Sequence, residues 1–183
     1  EQAGPASLVE RARNLQTTEA IDEMLLDYWH TPSDTEFFAK AFLQPYAQYV
    51  AQFHNPNPAG DEKRCPVCHG KPQLSFLQNQ ETPAESGNRD VMCAKCLSVW
   101  SFRRVVCANC GEENPVKLAY FQTTALNHVR VEACDTCKYY LKCVDLTRLG
   151  HAEPLVDEVA AAPLDLWAGG HGYTKIELKL IGL

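Results

Sequence analysis

Four Cys-x-x-Cys pairs constrain this chain more than any other feature: Cys65/Cys68, Cys93/Cys96, Cys107/Cys110 and Cys134/Cys137. They take up eight of the nine cysteines. A pair at this spacing forms a tight turn that sets two thiolates on one side of a metal ion, and such pairs read as metal knuckles rather than as a disulfide framework. The intervals are 24, 10 and 23 residues, a long–short–long pattern that reads as two tandem copies of one unit. Two knuckles brought together by strands complete a tetrahedral set of four sulfurs, which suits zinc or iron. A unit this small cannot build a large core, so the metal should supply folding energy. Disulfides, or one thioredoxin-like dithiol, are the competing readings. Interleaved pairing of the knuckles is open, although the short middle interval makes sequential pairing simpler.

Aligning the copies on their cysteines extends the repeat. Leu74 and Phe76 match Val116 and Leu118, and each couple alternates as a half-buried strand should. Val91 leads into Cys93 as Val131 leads towards Cys134. Trp100 aligns with Leu141 and Phe102 with Cys143, so the ninth cysteine is expected in the core, where a free thiol behaves as a small hydrophobe. His69 and His128 lie beside or between knuckles, but four thiolates per site leave them no required role, and both read as surface residues. His30, His54, His151 and His171 carry no spacing signal.

The segment before the knuckles reads as helical. Ser7-Leu8-Val9-Glu10 and Ser33-Asp34-Thr35-Glu36 both fit the capping-box pattern, and a further start is expected near Thr18. Phe37, Phe38, Ala41, Phe42, Tyr46, Tyr49, Val50 and Phe53 form a wide apolar stripe, read as core, that Pro45 should kink or split. Asn55 to Gly60 is a linker signal. Residues 152–168 look helical again, with Pro163 disturbing the pattern, and 173–183 suit a short strand or extended tail. The expected fold is α+β: a helical segment and linker (1–60), two rubredoxin-like or zinc-ribbon-like units (61–103 and 104–150), and a C-terminal helix and tail (151–183).

The net charge of −6 argues against nucleic acid, whose binding rests on neutralising phosphates with Lys and Arg. Arg103 and Arg104 beside Trp100 and Phe102 are thin evidence for it, and alternation would bury the aromatics. No apolar run is long enough to span a bilayer, so no membrane insertion is expected. The first residues, from Glu1, lack the basic-then-apolar pattern of a secretory signal, and the expected compartment is reducing and cytoplasmic. There is no Gly-rich phosphate loop, no Ser-x-x-Lys and no catalytic triad, so no catalytic or cofactor-binding residue is assigned and no enzyme is expected.

The run Cys65-Pro66-Val67-Cys68, Cys93-Ala94-Lys95-Cys96 with Trp100, Cys107-Ala108-Asn109-Cys110, and Glu132-Ala133-Cys134-Asp135-Thr136-Cys137 with Tyr140-Leu141-Lys142 resembles the formate dehydrogenase accessory protein family, FdhE-type. The resemblance covers 65–145 and extends more loosely into 152–173, through Pro154-Leu155-Val156-Asp157-Glu158 and Gly172-Tyr173. It implies a cytoplasmic maturation factor that binds the catalytic subunit of a formate dehydrogenase before export. It also implies two metal ions, iron or zinc, with Cys65, Cys68, Cys93 and Cys96 as one ligand set and Cys107, Cys110, Cys134 and Cys137 as the other. Aromatic surface on the helical segment is compatible with a homodimer. Two alternatives from other classes are a zinc-ribbon module binding nucleic acid or a transcription complex, and a rubredoxin-type electron-transfer protein.

Overall fold

The structure, a computed structural model, describes residues 6–31, 33, 36–56, 60–78 and 89–177. Three helices come first: α1 (Ala6–Asn14), α2 (Thr18–His30) and α3 (Phe37–Ala51). Strands β1 (Pro72–Leu77), β2 (Arg89–Cys93) and β3 (Val99–Phe102) surround the first knuckles, and β4 (Leu118–Gln122), β5 (Val129–Cys134) and β6 (Tyr139–Asp145) surround the second. Helices α4 (Pro154–Ala160) and α5 (Ala162–Gly170) and the short β7 (Thr174–Lys175) follow. This is the α+β class expected from the sequence.

The two copies do not hang as separate beads. Each contributes an antiparallel three-stranded meander, and the meanders join in one sheet of order β3-β2-β1-β6-β5-β4, with β7 added beside β6. The joint is the parallel pair β1 and β6, with Leu74 opposite Lys142 and Ser75 opposite Cys143. Buried on both faces, β1 is not the half-buried strand that alternation suggests. Leu74, Phe76, Tyr140 and Val144 pack with Val129 and Val131 against Ala161, Leu164 and Ala168 of the C-terminal helices. Val91, Phe102, Val106, Leu141 and Ile176 form a second cluster. Cys143 is fully buried, as the repeat alignment anticipates.

A charge cluster fastens the C-terminal segment to the sheet. Lys142 of β6 is completely buried, and its Nζ donates to Asp165 Oδ2 at 2.7 Å, to the Ala161 carbonyl at 3.2 Å and to the Glu158 carbonyl. Lys175 of β7 pairs with Glu158 and lies 3.3 Å from Asp165, whose Oδ1 also accepts from the Tyr140 hydroxyl at 2.9 Å. Lys142 and Lys175 thus both pair with Glu158 and Asp165, which satisfies the requirement that buried charges be paired and hydrogen-bonded.

The helices depart from the expectation in detail. Ser7 lies inside the first turn of α1 rather than capping it. Thr17 caps α2, accepting from the Ala20 N–H at 3.2 Å. Of the second capping box, Asp34 and Thr35 lie outside the described residues, and Glu36 at the N-cap of α3 makes no side-chain cap bond. It pairs with Arg11 instead. Pro45 neither splits α3 nor ends it. The residue is exposed, so the carbonyl deprived of its donor can turn to water. The apolar stripe is not core: Phe37, Phe38, Ala41 and Val50 are half-buried, Phe42, Tyr46, Tyr49 and Phe53 are exposed, and the buried residue of α3, Ala39, lies outside the stripe. The helix faces the first cysteine group through its smaller residues, Ala47 and Ala51. The single C-terminal helix becomes two, with Pro163 in the first turn of α5, where its missing N–H has no intrahelical partner to lose.

Candidate metal centres

Each knuckle has the same local construction. The residue after its second cysteine is left-handed in all four: His69 at φ 57°, Leu97 at 56°, Gly111 at 83° and Lys138 at 60°. The N–H of that residue donates to the carbonyl of the first cysteine, as in His69 to Cys65 at 2.9 Å, Gly111 to Cys107 at 3.0 Å and Lys138 to Cys134 at 2.8 Å, and the twist then returns the next carbonyl to the first cysteine's N–H, as in Cys65 to Gly70, Cys93 to Ser98 and Cys107 to Glu112, each at 2.9 Å. Glycine adopts this conformation without strain, whereas the other three carry a steric cost. The sulfurs also accept backbone N–H groups: Val67 to Cys65 at 3.4 Å, Lys95 to Cys93 at 3.3 Å and Asn109 to Cys107 at 3.4 Å. Donors aimed at sulfur favour thiolate.

The sheet assembles the knuckles sequentially, not interleaved. Cys65, Cys68, Cys93 and Cys96 form one group and Cys107, Cys110, Cys134 and Cys137 the other, with the sulfurs of each group within 4.8 Å of one another. Cys65 and Cys96 are 3.6 Å apart, Cys68 and Cys93 3.4 Å, Cys107 and Cys137 3.7 Å, and Cys110 and Cys134 3.7 Å. A disulfide would need about 2.05 Å. A tetrahedral ion with metal–sulfur bonds of ~2.3 Å spaces its ligands about 3.8 Å apart, so both groups fit such an ion closely. The thiols of the first group share protons: Cys65 is pulled down to about 6, chiefly by its hydrogen bond with Cys68, and Cys96 is also lowered, chiefly by Cys65. Cys68 and Cys93 are pushed up, first by Cys65. Four thiolates held 3.4–3.7 Å apart across each contact repel one another, and a cation among them offsets that repulsion. Burial likewise pushes Cys107 up in the second group.

The two groups differ in access. Three cysteines of the first are buried, and Ala47, Ala51, Val67 and Trp100 pack around them. Gln44 of α3 donates to the Ala94 carbonyl at 3.3 Å, and the Trp100 indole donates to the Glu62 carbonyl at 2.8 Å. Gly70 is needed there: a Cβ on it would lie 2.9 Å from Cys93 Sγ and 3.3 Å from Cys68 Sγ. In the second group Cys110 is exposed.

The remaining candidates fall away from the sulfurs. His69 is exposed, and His128 Nε2 lies 2.8 Å from Asp157 Oδ1 on α4. Phe102 is buried, while Arg103 is engaged by Glu62 and Glu113. Val116, aligned with Leu74 by the repeat, is not in a strand: it is exposed in the 3-10 turn Pro115–Lys117, and β4 starts at Leu118. Among the described residues no helix is long and apolar enough to cross a membrane.

The family model described as FdhE, C-terminal domain, matches residues 105–181. An FdhE homologue from Aquifex aeolicus is 31% identical over 188 aligned residues, covering 98% of this chain and 65% of that protein. A homologue from Haemophilus ducreyi is 27% identical, covering 93% of this chain and 56% of its own length. The crystal structure of the FdhE protein from Pseudomonas aeruginosa shares the fold, with a TM-score of 0.76 at 23% identity, covering 97% of this chain and 64% of that one. The chain therefore spans somewhat over half to about two thirds of the length of these relatives. The resemblance read from the cysteine knuckles is borne out: the chain is similar to FdhE homologues along nearly its whole length, and its residues 105–181 match the FdhE C-terminal domain model.

Proposed function

We propose that this chain is a formate dehydrogenase accessory protein, a cytoplasmic and non-enzymatic maturation factor that binds the catalytic subunit during assembly, before export. One observation supports this above the others: two complete four-cysteine groups joined through one sheet, in a chain similar to FdhE homologues over 98% of its length. In this reading Cys65, Cys68, Cys93 and Cys96 hold one iron or zinc ion, and Cys107, Cys110, Cys134 and Cys137 hold another. Iron in such a site can change oxidation state, whereas zinc can only fix the fold. The knuckle N–H groups stabilise the thiolates in either case, and the first group, packed under α3, sets the position of the helical segment.

The test is capture from an anaerobic extract with the tagged, metal-loaded protein as bait. The expected result is recovery of the formate dehydrogenase catalytic subunit, identified by mass spectrometry, and its loss with Cys134→Ser. Failure of the folded, metal-loaded protein to recover that subunit would overturn the reading.

The exposure of Cys110 favours a second reading, a rubredoxin-type electron carrier, because electron transfer needs a metal centre near the surface. A reversibly bleachable visible spectrum in the iron-loaded protein would support it. A colourless protein that retains zinc alone under anaerobic preparation would exclude it.

A further inference from the structure

Beside the second cysteine group lies a cavity of about 300 Å³, bordered by Cys107 and Cys134, at the lower end of the range for small-molecule sites. At ~30 Å³ per water-sized group it would hold about ten such groups. Its lining brings three cations, Arg89, Arg104 and Arg130, to one carboxylate, Glu132, and to the sulfurs of Cys107 and Cys134.

That carboxylate is already saturated. Glu132 Oε1 accepts from Arg130 at 2.7 Å, and Oε2 is 2.6 Å from Arg89 Nη2 and accepts from the Ser75 hydroxyl at 3.0 Å. Arg89 is 4% exposed, and its Nη1 donates to the Val106 carbonyl at 3.1 Å. Its Nε is the one buried side-chain nitrogen or oxygen among the described residues with no hydrogen-bond partner. Such an orphan donor is costly and calls for an acceptor. Arg104, on the same lining, is exposed to solvent. The other walls are apolar, from Leu118, Leu141 and Ile176.

We propose that this cavity binds an organic carboxylate on an apolar body, about ten non-hydrogen atoms in all. Its anionic head meets Arg89 and Arg104, with the charge assistance that makes arginine–carboxylate contacts strong. Its body covers the apolar wall, which an inorganic anion would leave open. The site goes beyond the accessory role proposed above and does not depend on it. A free organic acid and the C-terminal carboxylate of a peptide present the same chemistry.

The experiment is isothermal titration of the full, metal-loaded chain with three probes: 3-phenylpropanoate, its amide, and a tripeptide ending in phenylalanine. The expected result is saturable one-to-one binding of at least one carboxylate, with the amide at least tenfold weaker. Tighter binding of the free acid assigns the site to small molecules, and tighter binding of the tripeptide assigns it to a peptide terminus. Arg104 is exposed, so Arg104→Gln and Arg104→Glu should fold like the parent; they should weaken binding at least threefold and tenfold respectively. The proposal is overturned if neither carboxylate binds at millimolar concentration, if acid and amide bind equally, or if both Arg104 variants bind unchanged.

Discussion

Replacing Lys142 by methionine removes a charge from a fully buried cluster while nearly keeping the side-chain shape. Lys142 Nζ lies 2.7 Å from Asp165 and 3.3 Å from the Glu158 carboxylate, and it also serves two main-chain carbonyls. After the change Lys175 still faces the two carboxylates, and Lys40 acts on Glu158 from farther off, but the cluster has lost the cation that lies within 3.3 Å of both carboxylates. Breaking a buried pair from one side costs about 3–5 kcal/mol. At about 2–4 °C per kcal/mol for a chain of this size, the melting temperature should fall by roughly 6–20 °C. The assay is urea unfolding and thermal melting of the metal-loaded protein, followed by tryptophan fluorescence. Adding Asp165→Asn to Lys142→Met restores one cation against one carboxylate and keeps an acceptor for the Tyr140 hydroxyl. The double variant should recover at least about 1 kcal/mol, since residues in one ion-pair network couple. A loss below about 1 kcal/mol for the single variant, or a double variant no more stable than it, would refute the view that this cluster is dry and that Lys142 holds its carboxylates.

Other consequences follow from the cysteine groups. Gly70→Ala places a Cβ 2.9 Å from Cys93 Sγ, so it should cost about 1–3 kcal/mol and lower metal content at the first group while sparing the second, as elemental analysis would show. His69→Gly relieves a left-handed conformation at an exposed residue, and thermal melting should show a gain of up to about 1 kcal/mol. Burial pushes the Cys143 thiol up to about 12 from the ordinary 9.0. It should therefore stay protonated in the native protein from pH 7 to 9 and resist alkylation by iodoacetamide, reacting only on unfolding. The sign follows from linkage: the folded state holds this proton more tightly, so the associated stability is complete below pH 9.0 and is lost as pH rises towards 12.

The cysteine spacing made the two sulfur groups readable in advance, because a knuckle is a local turn and its ligand chemistry is carried by residue type. Cys143 was placed by its alignment with Phe102, and the strand through Leu74 and Phe76 by its alternation after the first knuckle. What escaped was non-local. Nothing in 72–77 announces a parallel pairing with 139–145, which buries both faces of β1. Lys142 reads as an ordinary polar residue in an apolar run until α4, α5 and β7 supply its partners. The stripe on α3 matched helical spacing without saying which edge faces the sheet, and the small residues proved to be the packed ones. Val116 followed the repeat in register but sits after Pro115, which opens a turn in the second copy instead of a strand. The orphan Nε of Arg89 had no sequence signal at all.

The central claim, that each four-cysteine group is a metal centre, is tested most directly by elemental analysis of protein purified without oxygen. The account predicts two iron or zinc ions per chain, falling to one with Cys65→Ser/Cys68→Ser and to one with Cys107→Ser/Cys110→Ser. Retention of two ions by both double variants, or a folded parent protein with no stoichiometric metal, would contradict it.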